Sequence, residues 1–171
     1  MAFTLVLGGA RSGKSRYAQT QAENFSACNG GTPVLLATGQ ALDDEMRARI
    51  AAHQRARSAA WRTLEAPFDL PAALTGLHPR EVVVVDCLTL WLSNLLLAEM
   101  NLAEQADALL ATLQALPNPT WLVANEVGFG IVPDNALARR FRDAAGQLHQ
   151  HLAATAAQVV LVVAGLPLAL K

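Results

Sequence analysis

The residues able to do chemistry in this chain fall into a few separated groups. Gly8-Gly9-Ala10-Arg11-Ser12-Gly13-Lys14-Ser15 has the spacing G-x-x-x-x-G-K-S, in which Gly8 and Gly13 let successive backbone N–H groups turn inward onto phosphate oxygens. The Lys14 ammonium can reach β- and γ-phosphates, the Ser15 hydroxyl can ligate Mg²⁺, and Arg11 offers a further phosphate contact. Asp86 closes the run Val82-Val83-Val84-Val85. A carboxylate there can serve Mg²⁺ as a Walker-B-type group, and the same position also suits a helix N-cap.

Arg49, His53 and Arg57 recur at i, i+4, so an imidazole and two guanidiniums share one helical stripe. Such a stripe can grip phosphates, and a neutral imidazole within it can attack an α-phosphorus to form a phosphoramidate. Asp43 with Arg47 and Glu45 with Arg49 also have ion-pair spacing, so the residues by themselves are better described as an ordinary solvated helix. Asn125-Glu126-Val127-Gly128-Phe129-Gly130-Ile131-Val132-Pro133 supplies another carboxylate in a glycine-containing loop. Glu126 is there either a base or a group supporting Mg²⁺, or the loop is a structural turn whose apolar residues dock on a neighbouring subunit. His78 sits in a Pro-flanked loop, while His149 and His151 fall in a late helix and are expected to face solvent or a partner subunit.

Positioning these groups requires alternating strands and helices. Strands are expected at Phe3 to Leu7, Val34 to Ala37, Trp61 to Leu64, Glu81 to Val85, Thr120 to Ala124 and Gln158 to Ala164, with an edge strand from the last residues. Helices are expected from Gly13 to about Asn24, Leu42 to Arg57, Asp69 to Leu77, Leu88 to Met100, Leu102 to Leu116, and from an Asp134 cap to Thr155. The β-branched run at Glu81 to Val85 should lie centrally. This alternation implies an α/β fold with a mostly parallel sheet flanked by helices and right-handed crossovers, and ligands at the carboxyl ends of the strands. Neither repeats nor linkers interrupt it, and 171 residues suit one catalytic domain spanning 1–171.

Composition narrows the function classes. The chain is 53% hydrophobic and 16% charged, with mean hydropathy +0.27, which suits buried parallel strands or a subunit interface. A net charge of −1 and pI of about 6.4 provide no basic field for a nucleic-acid backbone or an anionic membrane. Cys28 and Cys87 form neither a CxxC pair nor a Cys/His cluster, so a reducing cytoplasm is expected and a zinc site is not. No apolar run reaches transmembrane length, and Met1 to Leu7 is too short for a signal segment.

The motifs together carry a resemblance along nearly the whole chain. Gly8 to Ser15, Ala-Thr-Gly-Gln at 37–40, Asp-Asp-Glu-Met-Arg-Ala-Arg-Ile at 43–50, His53, Trp-Arg-Thr at 61–63, the Asn125 to Pro133 loop and Leu137 to Asp143 resemble the bifunctional adenosylcobinamide kinase and adenosylcobinamide-phosphate guanylyltransferase family of cobalamin biosynthesis. The resemblance implies a RecA-like P-loop fold and a homotrimer. It implies an enzyme that phosphorylates adenosylcobinamide with ATP or GTP and then joins GMP from GTP to adenosylcobinamide phosphate, releasing pyrophosphate. It implies Mg²⁺ with the nucleotide and a guanylylated histidine at His53, next to Lys14 as the other catalytic residue. Some relatives carry adjacent histidines where this chain has Ala52-His53. The nucleotide contacts implied are Gly8, Gly9, Ala10, Arg11, Ser12, Gly13, Lys14, Ser15, Ala37, Thr38, Gly39, Gln54, Arg55, Ala56, Arg57, Glu65 and Asp86, with Ser15 and Asp86 toward the metal.

Other classes make distinct expectations. A monofunctional P-loop small-molecule kinase transfers phosphoryl groups and forms no covalent nucleotide. A regulatory module binds nucleotide without turnover. A nucleic-acid-dependent ATPase of RecA-like fold needs the basic, aromatic-rich tract that this chain lacks.

Overall fold

A computed structural model describes residues 3–41, 44, 47, 48 and 58–171. Its elements run β1 (Thr4–Gly8), α1 (Lys14–Asn29), β2 (Thr32–Ala37), β3 (Arg62–Glu65), α2 (Leu70–Thr75), β4 (Glu81–Asp86), α3 (Leu88–Leu97), α4 (Leu102–Ala115), β5 (Thr120–Asn125), α5 (Ala136–Thr155), β6 (Gln158–Val163) and β7 (Leu166–Ala169). The strands form one sheet in the order β3-β2-β4-β5-β1-β6-β7. Every pairing is parallel except β6 with β7.

The valine run of β4 explains the layering. Successive side chains point to opposite faces: Val83 and Val85 join Leu5, Leu122 and Trp91 in one apolar cluster, while Val82 and Val84 join Val6, Val123 and Val160 in the other. Both faces are therefore covered, as continuous apolar strands in a parallel sheet require. The first cluster receives Leu70 and Leu74 of α2, Leu95 of α3, Leu109 and Leu113 of α4, and Leu148 and Leu152 of α5. On the other face, Ala18 and Ala22 of α1 sit at zero exposure, letting that helix approach the sheet closely. The expected central position of β4 holds, between β2 and β5.

Several boundaries differ from the sequence expectation for identifiable reasons. Helix α1 continues past Asn24 to Asn29 because Phe25 packs edge-on against Trp121, their ring centroids 6.2 Å apart. Helix α3 stops at Leu97 rather than Met100, because Glu99 adopts a left-handed conformation with φ 55°. Asn135, not Asp134, caps α5, its side chain accepting from the Ala138 N–H at 3.1 Å. The chain reverses into β7 through Ala164 (φ 51°) and Gly165 (φ 83°), a tight turn with two left-handed residues that matches the twist of antiparallel neighbours. The charged helix expected at Leu42 to Arg57 lies largely outside the described residues. Asp44, Arg47 and Ala48 are helical, and Arg47 pairs with Asp44 at 2.5 Å.

Candidate active site

The loop from Gly8 to Gly13 joins the buried end of β1 to the start of α1. Its tightness depends on Gly8. A Cβ there would overlap the Ser12 hydroxyl and stand 2.6 Å from the Val162 carbonyl oxygen of β6. Gly13 turns the chain at φ 96°, with Gly165 packed behind it, and the Gly165 N–H donates to the Ser12 carbonyl at 2.8 Å. Lys14 is buried, and its Nζ donates to the Gly9 carbonyl at 3.1 Å. The Ser12 hydroxyl is buried without a hydrogen-bond partner.

Capping separates two of the described helices, α1 and α3, from the other three. Asp69, Asn101 and Asn135 cap α2, α4 and α5 with side-chain acceptors. Helices α1 and α3 have no side-chain cap, and neither carries an acidic residue in its first turn. The N-terminal end of α1, opening from the glycine-rich loop, thus keeps its positive dipole without a side-chain cap, the condition that favours an anion. At α3 the Leu90 N–H bonds the Cys87 thiol and Asp86 stands just before the cap. Asp86 is not the N-cap of α3, since Cys87 occupies that position.

Register aligns several of the expected site residues. Ala37 is paired with Glu65 on one side and with Asp86 on the other, so all three lie in one row at the carboxyl edge. Thr38, fully buried, ties the row together. Its Oγ1 donates to the Cys87 carbonyl at 2.7 Å and accepts from the Cys87 N–H at 2.9 Å, while its own N–H donates to the Asp86 carbonyl. Asn94 of α3 donates to the carbonyls of Thr38 and Pro67 at 2.8 and 2.9 Å. Gly39 closes against Leu90, whose Cδ1 is 3.2 Å from where a Cβ would be. Glu65 itself is exposed at the end of a short edge-side strand.

Burial first and the Asp86 carboxylate second push the Cys87 thiol pKa up, while contacts with Leu90 and Thr89 and the Lys14 ammonium pull it back. Asp86 ends β4 and Lys14 opens α1 just after β1, so both ionic groups lie at the carboxyl edge of the sheet, with β5 between their strands.

Glu126 follows β5 directly and is locked to the glycine-rich loop, its N–H donating to the Gly8 carbonyl at 3.0 Å. Its Oε1 accepts from the Gly128 N–H at 2.6 Å, and its Oε2 lies 3.7 Å from His149 Nδ1. That separation is long for a hydrogen bond but close for an electrostatic contact. Here the sequence expectation for His149 fails: the side chain is buried rather than facing solvent, whereas His151 is exposed. The signal was present, because His149 shares the buried stripe of α5 with Ala145, Leu148 and Leu152. Burial pulls the His149 pKa below its usual value, more strongly than Glu126 raises it.

Beyond Glu126 the loop is open to solvent, with Phe129 85% and Ile131 96% exposed. A cleft of about 350 Å³ between α3 and α5 is lined by Ser93, Leu96, Leu97, Leu137 and Phe141 among others. His53, Arg49 and Gln54, Arg55, Ala56 and Arg57 lie outside the described residues. Among the described residues there is no cluster of three or more His, Cys, Asp or Glu side chains able to hold a metal, and no helix is long and apolar enough to cross a membrane.

A parallel sheet whose first strand runs into a G-x-x-x-x-G-K-S loop beside an edge aspartate defines a RecA-like P-loop fold. Solved structures agree on that architecture. The flagellar accessory protein FlaH from Methanocaldococcus jannaschii aligns with TM-score 0.57 at 13% identity, covering 99% of this chain and 78% of that one. A second solved chain, an ATPase domain, aligns with TM-score 0.53 at 14% identity, covering 94% of this chain and 68% of that one.

The chain belongs to the cobinamide kinase / cobinamide phosphate guanyltransferase family, whose model matches residues 4–170. It is 48% identical to the bifunctional adenosylcobalamin biosynthesis protein CobP of Pseudomonas aeruginosa, covering 98% of this chain and 96% of that protein. The corresponding CobU proteins of Salmonella typhimurium and Escherichia coli are 43% and 40% identical, each alignment covering 98% of both chains.

Proposed function

We propose that this chain is a bifunctional enzyme that phosphorylates the aminopropanol hydroxyl of adenosylcobinamide with ATP or GTP and then transfers GMP from GTP to the new phosphate, releasing pyrophosphate. The observation that carries the reading is that the buried Lys14, at the N-terminus of α1 with no side-chain cap, and the carboxylate Asp86 lie at the same edge of the parallel sheet, in a chain of this family. Backbone N–H groups of Gly8 to Ser15 would cradle the phosphates, and Lys14 would neutralise charge developing on the transferred group.

The Ser15 hydroxyl and the Asp86 carboxylate are hard oxygen donors, and they fit a magnesium ion that keeps several waters and arrives with nucleotide phosphates. When bound, that ion would neutralise phosphate charge. Ala37, Gly39 and Glu65, in or next to the Asp86 row, and Gln54, Arg55, Ala56 and Arg57 complete our assignment of nucleotide contacts. Thr38, fully buried with its N–H, carbonyl and hydroxyl all hydrogen-bonded within the protein, positions the row instead of touching nucleotide. His53 is the nucleophile we assign to the second step, attacking the α-phosphorus of GTP as pyrophosphate departs.

We further assign one catalytic domain, a homotrimer and a cytoplasmic setting. The exposed Phe129, Ile131 and Val132, with Leu166 and Leu168 of β7, are apolar surface that a subunit contact would bury. Light scattering should then give a particle of three 18.1 kDa chains.

The test of function is the intact mass of the protein after incubation with GTP and Mg²⁺, for wild type and His53→Ala. A GMP-sized, acid-labile increase confined to wild type is expected. GTP binding without that increase overturns nucleotidyl transfer through His53 and leaves a P-loop kinase.

A further inference from the structure

The two half-reactions of the proposed function, on which this inference rests, differ in their need for a base. In the first, the acceptor is an alcohol that keeps its proton at neutral pH and must lose it as the new O–P bond forms. In the second, the acceptor is a phosphate monoester, whose second ionisation lies near pH 6, so a nucleophilic oxyanion is already present. An enzyme doing both with one P-loop therefore needs a proton acceptor beside the γ-phosphate for the first step only.

Glu65, Asp86 and Glu126 are the carboxylates at or just beyond the ends of β3, β4 and β5. From β1, strand β3 lies four spacings across the sheet, ~19 Å at ~4.8 Å per spacing, and β4 lies two, ~10 Å. Strand β5 is the direct neighbour of β1: Gly8 is paired with Asn125, and the next residue, Glu126, is bonded through its backbone to Gly8. Glu126 is the member of this set closest to the mouth of the P-loop.

Its carboxylate is also held. Gly128 N–H binds Oε1, and the His149 ring, 9% exposed, stands behind Oε2. A Cβ at Gly128 would stand 2.8 Å from Glu126 Oε1, so a side chain there would push the carboxylate from its present position. An anchored carboxylate with a side chain 19% exposed keeps a face open to an incoming hydroxyl.

We propose that Glu126 is the general base of the kinase half-reaction, and that Gly128 and His149 are positioning residues that aim it. The acceptor hydroxyl gives its proton to the Glu126 carboxylate, its oxygen bonds to the γ-phosphorus, and the bond from that phosphorus to the β,γ-bridging oxygen breaks, releasing nucleoside diphosphate. The GMP-transfer half-reaction proceeds without Glu126.

The experiment measures both half-reactions separately on the full chain: phosphorylation of adenosylcobinamide by ATP, and GMP transfer from GTP to adenosylcobinamide phosphate supplied ready-made. Glu126→Gln should lower the kinase kcat by about 10²–10⁴ with little change in KM, while GMP transfer stays near the wild-type rate and certifies a folded protein. Gly128→Ala, which displaces the carboxylate without removing it, should lower the kinase kcat in the same selective way. His149→Phe should do so too, and His149→Asn, which restores a nitrogen donor near Nδ1, should recover part of the loss. Equal loss of both half-reactions in Glu126→Gln, or no loss of either, overturns the assignment while wild-type activity still supports the proposed function. A wild-type protein that phosphorylates no adenosylcobinamide overturns the proposed function and this assignment together.

Discussion

Thr38 and Cys87 meet through a reciprocal pair of hydrogen bonds, the threonine hydroxyl donating to the cysteine carbonyl and accepting from the cysteine N–H. The contact fastens the residue after β2 to the residue after β4 and so fixes the height of Asp86 at the carboxyl edge. Thr38→Val keeps the shape and removes the hydroxyl. The Cys87 carbonyl retains the Trp91 N–H, whereas the Cys87 N–H loses the Thr38 acceptor. The cost should be about 1–3 kcal/mol, or roughly 2–9 °C in Tm for a chain of this size. Thermal unfolding of Thr38→Val beside Thr38→Ser checks it, with serine expected to restore most of the loss.

Of two adjacent glycines, only one should be sensitive to an added methyl group. Gly8→Ala drives a Cβ against the Val162 carbonyl of β6, a backbone atom that cannot step aside, whereas nothing lies within 4 Å of a Cβ at Gly9. Gly8→Ala is expected to destabilise by about 1–3 kcal/mol or more, and Gly9→Ala to leave the denaturation midpoint nearly unchanged. Urea titrations of both variants decide the matter.

Lys14→Met removes a buried ammonium while filling most of its volume. On the proposed mechanism the kinase rate should fall by about 10²–10³, and the denaturation midpoint should move far less. Steady-state phosphoryl transfer and a denaturation curve on the same preparation separate the two effects. A Lys14→Met protein with wild-type kinase kcat would remove Lys14 from the mechanism.

His149 gives a pH dependence with a definite sign. Burial holds its folded-state pKa below the ordinary 6.5, so the unfolded chain binds the proton first as the pH drops. The stabilisation is fully present above about pH 6.5 and is lost as the pH falls from there toward the folded-state pKa. His149→Asn should flatten the slope of stability against pH in that window and leave it unchanged above about pH 7. Chemical denaturation across about pH 5 to 8 measures it.

Much of the site was legible in the sequence because its signals are local. The spacing of Gly8, Gly13, Lys14 and Ser15 defines a loop and helix start by backbone requirements alone, and the structure keeps it between β1 and α1. Asp86 at the end of four valines announces a strand end, and β4 ends there. The alternation of apolar strands with helical periods dictated a mostly parallel sheet. Short-range errors arose where side-chain packing or one backbone angle outweighed the pattern, as Phe25 against Trp121 prolongs α1 and Glu99 terminates α3.

What the sequence by itself determined is the kind of turn, strand end and helix start each motif makes, since those depend on glycine conformations, β-branched runs and caps within a few residues. Only the tertiary structure decided that β5 lies between the strand of Gly8 and the strand of Asp86, and that His149 stands behind Glu126. Strand order and burial come from contacts between residues distant along the chain. Nothing in the residues beside Glu126 or His149 specifies which of the possible pairings excludes water best.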